Sequence, residues 1–333
     1  MRISVIGAGS WGTALAHQLA RRGHELRLWA LEREVAEGIN LSHRNPLFLA
    51  DQELHPEVVA DADLDAVGSF SATWVWVVPV QHSRAVMRQL RTQVGESTVI
   101  VSSSKGLETD SLRRMDEIAR EALEVPAERF CCLSGPTFAR EVLRGDPSAA
   151  VLACPSLELA SRLQAEFSDS HLRLYAGTDL VGVELAGALK NVIAIAAGIV
   201  DGIGLGANTQ AALMTRGLHE ITRLGVALGA DATTFRGLAG MGDLVLTCTG
   251  GLSRNRQLGQ RLGRGEALGH ILGSMREVAE GVRTAPAAAQ LAANHGVAMP
   301  ITDAVTRLLN GSSDPKTALK ELMLRELKVE TKL

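Results

Sequence analysis

A β-branched run, Ile3-Ser4-Val5-Ile6, passes directly into Gly7-Ala8-Gly9-Ser10-Trp11-Gly12 and then into a helical pattern over residues 13–22. A Gly-x-Gly-x-x-Gly turn between a strand and a helix is the phosphate-binding turn of a doubly wound α/β sheet. Gly7 permits the tight turn, Gly9 lets the backbone approach a pyrophosphate, and Gly12 lets the helix pack closely on the strand. The helix N-terminus then faces the anion. The three glycines also interrupt the uncharged stretch 3–20, which is therefore not expected to act as a secretory leader, whose apolar core is continuous and helical.

The rest of the first half keeps the same rhythm. Residues 26–29, 74–78, 98–101, 130–133, 149–152 and 172–175 read as further short strands, several apolar on both faces. Amphipathic stretches at 82–91, 111–123 and 157–167 lie between them, which predicts a parallel sheet covered on both sides. Residues 40–56 read as a long irregular connection. Beyond about residue 177 no strand pattern follows. Residues 180–199, 209–228, 256–263, 286–294, 301–310 and 315–327 read as helices divided by glycine-rich turns. The expected fold is α/β: a Rossmann-type doubly wound parallel sheet over residues 1–178, followed by an all-helical domain over 179–333 that carries the substrate and the catalysis.

With 333 residues the chain is long enough for two such domains. Its 34 basic and 37 acidic side chains give a net charge of −3, without a polybasic run, so neither nucleic acid nor a membrane surface is an expected partner. The longest wholly apolar or glycine run, 192–200, is short of the roughly 20 residues a membrane span needs, and membrane insertion is not expected. Cys131, Cys132, Cys154 and Cys248 lack C-x-x-C spacing and suit buried positions in a reducing compartment, hence a cytoplasmic location. No metal site is expected: the nine histidines form no ligand pair at helical spacing, and Asp61-Ala62-Asp63-Leu64-Asp65 lacks the glycine and glutamate of a calcium loop.

At the end of the second strand, Glu32 stands beside Arg33. A carboxylate there accepts the ribose 2′-hydroxyl of NAD, and an arginine pairs with the 2′-phosphate of NADP, so either cofactor is admitted. The two also suit the solvated start of a helix. The loops after two later strands, around Pro79 and at Ser102-Ser103-Ser104-Lys105-Gly106, are expected to line the cofactor crevice, with Lys105 the residue of interest. Ser134-Gly135-Pro136-Thr137-Phe138-Ala139 is a third such loop, with Pro136 expected at the first position of a helix.

In the helical half, Lys190 lies in a stretch apolar on nearly every face. Burial lowers a lysine pKa toward neutrality, as a general acid and base at a carbonyl or alcohol carbon requires. Asp243, between Gly242 and an apolar run, either caps a helix or holds the lysine ammonium or a substrate hydroxyl. Ser253 is placed as an N-cap, and the following Arg254, Asn255 and Arg256 make the start of that helix a candidate phosphate or carboxylate site.

Gly-Ala-Gly-Ser-Trp-Gly-Thr-Ala at 7–14, Ser-Lys-Gly at 104–106, Ser-Gly-Pro-Thr-Phe-Ala at 134–139 and Gly-Ala-Leu-Lys-Asn-Val at 187–192 occur in one order. Gly-Met-Gly-Asp-Leu at 240–244, Ser-Arg-Asn-Arg at 253–256 and Glu-Gly-Val-Arg-Thr-Ala at 280–285 continue it. Together they resemble the bacterial NAD(P)-dependent glycerol-3-phosphate dehydrogenases over essentially the whole chain. The resemblance implies interconversion of sn-glycerol 3-phosphate and dihydroxyacetone phosphate, feeding phospholipid synthesis, with NAD or NADP as cofactor. It makes Lys190 the proton acceptor and donor, and puts Lys105, Gly135, Thr137, Asp243, Ser253, Arg254 and Asn255 around the phosphorylated substrate. Ser10, Trp11, Ala139, Arg254, Val278 and Glu280 go with the cofactor. A related β-hydroxyacid dehydrogenase, or a dinucleotide sensor without catalysis, is the alternative. The sequence is compatible with a homodimer.

Overall fold

The computed structural model describes residues 1–275, 279–327 and 329–330. Two compact units divide them: Met1–Ser104 with Met115–Leu180, and Lys105–Arg114 with Val181 onward.

The first unit is built on strands β1 (Arg2–Ile6), β2 (Glu25–Trp29), β3 (Val58–Asp61), β4 (Thr73–Trp76), β5 (Val99–Ser102), β6 (Phe130–Ser134), β7 (Ser148–Ala153) and β8 (Leu172–Gly177). They form one sheet in the order β3-β2-β1-β4-β5-β6-β7-β8. Helices α1 (Ser10–Arg21), α2 (Arg33–Ser42), α3 (Leu64–Gly68), α4 (Val80–Leu90), α5 (Met115–Leu123), α6 (Ala139–Arg144) and α7 (Leu157–Phe167) connect the strands. Strand order reverses at β1, which pairs in parallel with both β2 and β4. That reversal opens a crevice beyond the carboxyl end of β1, where Gly7 to Gly12 stand.

This unit departs from the sequence expectation in places. Residues 58–61 form an edge strand on β2 that the pattern analysis passed over: only Val58 and Ala60 are buried, and the apolar run ends at Asp61. The helix expected from residue 111 begins at Met115. The sheet is also not wholly parallel, since β7 runs antiparallel to β6. The connection between them, residues 135–147, holds only the short helix α6, which closes on Gly145 in the left-handed region.

The core of this unit is a continuous set of aliphatic side chains from the strands and from α1, α2 and α7. Trp74 and Trp76 are fully buried on β4. Their indole N–H groups donate to Ser71 O at 2.8 Å and Ser83 Oγ at 2.9 Å. Each bond avoids a cost of about 1–3 kcal/mol for an unpaired buried donor.

The second unit comprises α8 (Leu180–Gly202), α9 (Ala207–Ala227), α10 (Asp243–Thr249), α11 (Arg254–Gly263), α12 (Leu268–Ser274), α13 (Gly281–Asn294), α14 (Pro300–Leu309) and α15 (Pro315–Met323). Among the described residues it contains no strand. Helix α8 is long and apolar enough by composition to cross a membrane, yet its apolar window is wholly buried inside the fold. It is the core helix around which Ile221, Leu224, Phe235, Leu258 and Ala288 pack.

Candidate active site

The glycine turn on the first unit shows why each glycine is there. Gly7 has φ +115°, and a Cβ on it would lie 3.0 Å from the Val77 carbonyl. A Cβ at Gly12 would stand 1.9 Å from Gly7 O, so any side chain there would push α1 off the turn. At Gly9 an added Cβ would meet no atom within 4 Å. The backbone is thus open to a ligand at Gly9, and no side chain caps the first turn of α1. This open backbone at a helix N-terminus fits the pyrophosphate of a dinucleotide. Trp11 adds a buried indole N–H without an internal partner. Ser10 Oγ donates to Phe48 O at 3.5 Å.

Glu32 is the N-cap of α2 and Arg33 its first residue. Arg33 lines a cavity of about 470 Å³ with Ala36, Glu37, Asp61, Ala62 and Asp63. Asp61, the last residue of β3, and Asp63, the N-cap of α3, are weighed in the sequence only as part of a calcium loop. Gly135 lies just beyond β6, where a Cβ would come within 2.7 Å of Ala150 Cα on β7, so packing alone already demands glycine there. Thr137 Oγ1 donates to Gly135 O at 3.2 Å, and Ala139 is the first residue of α6. Pro136 does not open that helix as expected. The N-cap is Phe138, and the proline belongs to the preceding loop.

On the helical unit, Lys190 of α8 and Asp243 of α10 are both buried and hydrogen-bonded to each other. Lys105 Nζ donates to the other oxygen of the same carboxylate, Oδ2, at 2.7 Å. Asp243 therefore sits between two ammonium groups. Burial pushes its carboxyl upward, but the two lysines outweigh that and hold it below the usual carboxylate range. For Lys190, burial is the largest influence and lowers its pKa to about 7; Asp243 opposes the shift and the Lys105 charge adds to it. Thr247, one turn after Asp243, accepts from Lys190 Nζ at 2.8 Å and donates to the Asp243 carbonyl at 2.6 Å. Sequence reasoning overlooked Thr247, although its i, i+4 spacing from Asp243 was visible.

Ser253 caps α11 through an Arg256 N–H donor at 3.2 Å. Arg254 is exposed at the first position of that helix. Asn255 is buried with both ends of its amide engaged: Nδ2 donates to Asn191 Oδ1 at 3.0 Å, and Oδ1 accepts from Gly281 N at 2.9 Å. It ties α8, α11 and α13 together. Glu280, the N-cap of α13, is raised to about 7 by burial, with Arg254 acting against the shift. Its Oε2 is buried without an internal partner. Val278 lies outside the described residues.

A glycine turn open to a pyrophosphate and a buried lysine whose pKa burial lowers to about 7 are compatible with a nicotinamide-dependent dehydrogenase. Models of NAD-dependent glycerol-3-phosphate dehydrogenase match residues 2–160 (N-terminus) and 179–320 (C-terminus), and the chain belongs to that family. It is 49% identical over 330 residues to glycerol-3-phosphate dehydrogenase [NAD(P)+] of Nitratidesulfovibrio vulgaris strain Hildenborough, covering 99% of this chain and 100% of that one. The corresponding protein of Syntrophotalea carbinolica is 50% identical over 331 residues, covering 99% of each. A crystal structure of glycerol-3-phosphate dehydrogenase from Coxiella burnetii superposes with a TM-score of 0.92 at 36% identity, covering 97% of this chain and 99% of that one.

Proposed function

We propose that this dehydrogenase interconverts sn-glycerol 3-phosphate and dihydroxyacetone phosphate for phospholipid synthesis, with Lys190 moving the proton at the C2 oxygen. The observation that carries the assignment is the buried carboxylate of Asp243 held between Lys190 and Lys105. When bound, NAD or NADP supplies or accepts the hydride. During reduction negative charge builds on the C2 oxygen, and the Lys190 ammonium stabilises it and then donates its proton. In oxidation the neutral amine takes the proton from the C2 hydroxyl. Asp243 and Thr247 hold Nζ in one orientation for both directions.

The substrate phosphate is assigned to the start of α11, where Arg254 offers a guanidinium beside the Ser253 cap. Lys105, Gly135, Thr137 and Asn255 complete the proposed substrate set, Asn255 by holding α8 to α11. The cofactor is assigned to Gly7, Gly9, Ser10, Trp11, Gly12, Glu32, Arg33 and Ala139, with Lys105, Arg254, Val278 and Glu280. Residues 1–178 are assigned mainly to the dinucleotide and 179–333 mainly to the substrate chemistry. The proposed working location is the cytoplasm, from the four cysteines, all buried and none in a disulfide, and a homodimer is compatible with this reading.

The test is nicotinamide absorbance with dihydroxyacetone phosphate against unphosphorylated dihydroxyacetone. Remote phosphate binding orients the reacting carbon, so the phosphorylated ketone should react far faster, and Arg254→Ala should raise its KM about tenfold or more. Equal rates for the two ketones would remove the phosphate assignment.

A further inference from the structure

Lys105 lies on a ten-residue segment, Lys105–Arg114, that contacts the helical unit although it leaves and re-enters the sheet unit in sequence. The segment contains neither helix nor strand. Ladder hydrogen bonds therefore do not fix where Lys105 stands, and other contacts must. One is Leu107, fully buried in the core of the helical unit. A second is a closed turn, in which Glu108 N–H donates to Arg113 O at 3.0 Å and Leu112 N–H donates to Glu108 O at 2.8 Å. The third is charged. Arg114 Nε donates to Glu184 Oε2 at 3.2 Å, with both side chains largely withdrawn from solvent, 14% and 5% exposed.

Glu184 and Lys190 belong to the same helix, α8, six residues apart, which is about 9 Å along the axis. Helix α8 thus carries one of the two lysines on Asp243 directly and grips the segment bearing the other. A buried ion pair is a poor source of stability, since apolar side chains of the same volume do as well or better, but it fixes direction where an apolar contact slides. We propose that Arg114 and Glu184 are positioning residues for the reaction: their ion pair pins the Lys105 segment to α8 and so registers Lys105 against Asp243. This inference rests on the assignment of Lys105 and Asp243 to the active site.

A double-mutant cycle on kcat/KM for dihydroxyacetone phosphate separates the two ideas. Lys105→Met alone should lower kcat/KM, and if it leaves the folded enzyme unchanged the site assignment itself fails. Arg114→Met should lower kcat/KM about tenfold in the native background and by less than about twofold where Lys105 is already methionine. Arg114→Lys should restore part of the loss, since it returns a cation within reach of Glu184. Additive losses in the cycle, or an Arg114→Met enzyme of native kcat/KM beside an impaired Lys105→Met enzyme, would overturn the positioning role. If Arg114→Met does not fold, Arg114→Met/Glu184→Leu removes both charges of the pair and enters the same cycle with the same two outcomes.

Discussion

Lys190 Nζ donates to Thr247 Oγ1 at 2.8 Å, and the same hydroxyl gives its only proton to the Asp243 carbonyl at 2.6 Å. The hydroxyl therefore meets the lysine with its lone pairs and accepts from it in either protonation state. Removing the lysine charge should spare the fold while removing proton transfer. Lys190→Met is expected to bind cofactor with near-native affinity and to lose about 10²-fold or more in kcat in both directions. Thr247→Val should cost less, because Asp243 still orients the amine. Stopped-flow turnover with a parallel cofactor titration checks both.

The pH dependence follows from the same lysine, whose pKa burial brings to about 7. Reduction uses the ammonium, so kcat/KM for the ketone should fall above that pH by about tenfold per unit. Oxidation uses the amine, so kcat/KM for the alcohol should fall by about as much per unit below it. The two profiles should mirror each other about one midpoint. Profiles that bend in the same direction would assign the proton to another group.

Cofactor choice is expected to turn on the carboxylates around Arg33. Glu32→Ala removes a charge that repels a 2′-phosphate and should raise the NADPH to NADH ratio of kcat/KM about fivefold or more. Asp61, which lines the cavity with Arg33, is the comparison. If Asp61→Asn moves the ratio and Glu32→Ala does not, Asp61 is the ribose partner.

Glu220 on α9 is buried and accepts from Ile301 N–H at 2.7 Å and Thr302 N–H at 3.2 Å at the start of α14. Burial raises its pKa from 4.5 to about 7, against the pull of those backbone donors. A group whose folded pKa lies above its unfolded value binds extra protons when folded. Its stabilising contribution is complete below pH 4.5 and is lost as the pH rises through about 7. Glu220→Gln should therefore remove that loss, flattening the decline of Tm between these limits. A Tm profile parallel to that of the native protein would show that Glu220 stays ionised throughout.

Much of this protein could be read from short stretches. The Gly7 to Gly12 turn is legible because it answers to local sterics: positive φ at one glycine and a 1.9 Å approach at another leave no choice of residue. Helix α8 is legible because a stretch apolar on nearly every face suits a core, and Lys190 stands out within it as a charge that must be partnered. The α/β order and the change to all-helical structure follow from periodicity in the same way.

What lay beyond the sequence depends on which distant segments meet. Lys105 and Asp243 are 138 residues apart, and nothing local to either specifies their bond. The same holds for Asn255, an expected ligand contact, whose amide binds the distant Asn191 and Gly281. The antiparallel direction of β7 on β6 is likewise a matter of which strand edges meet, and no pattern within residues 148–153 announces it. Dihedral preference and hydrophobic period act over a few residues and are written in each window of sequence. Partners, charges and pKa values come from packing, which joins residues the sequence keeps far apart.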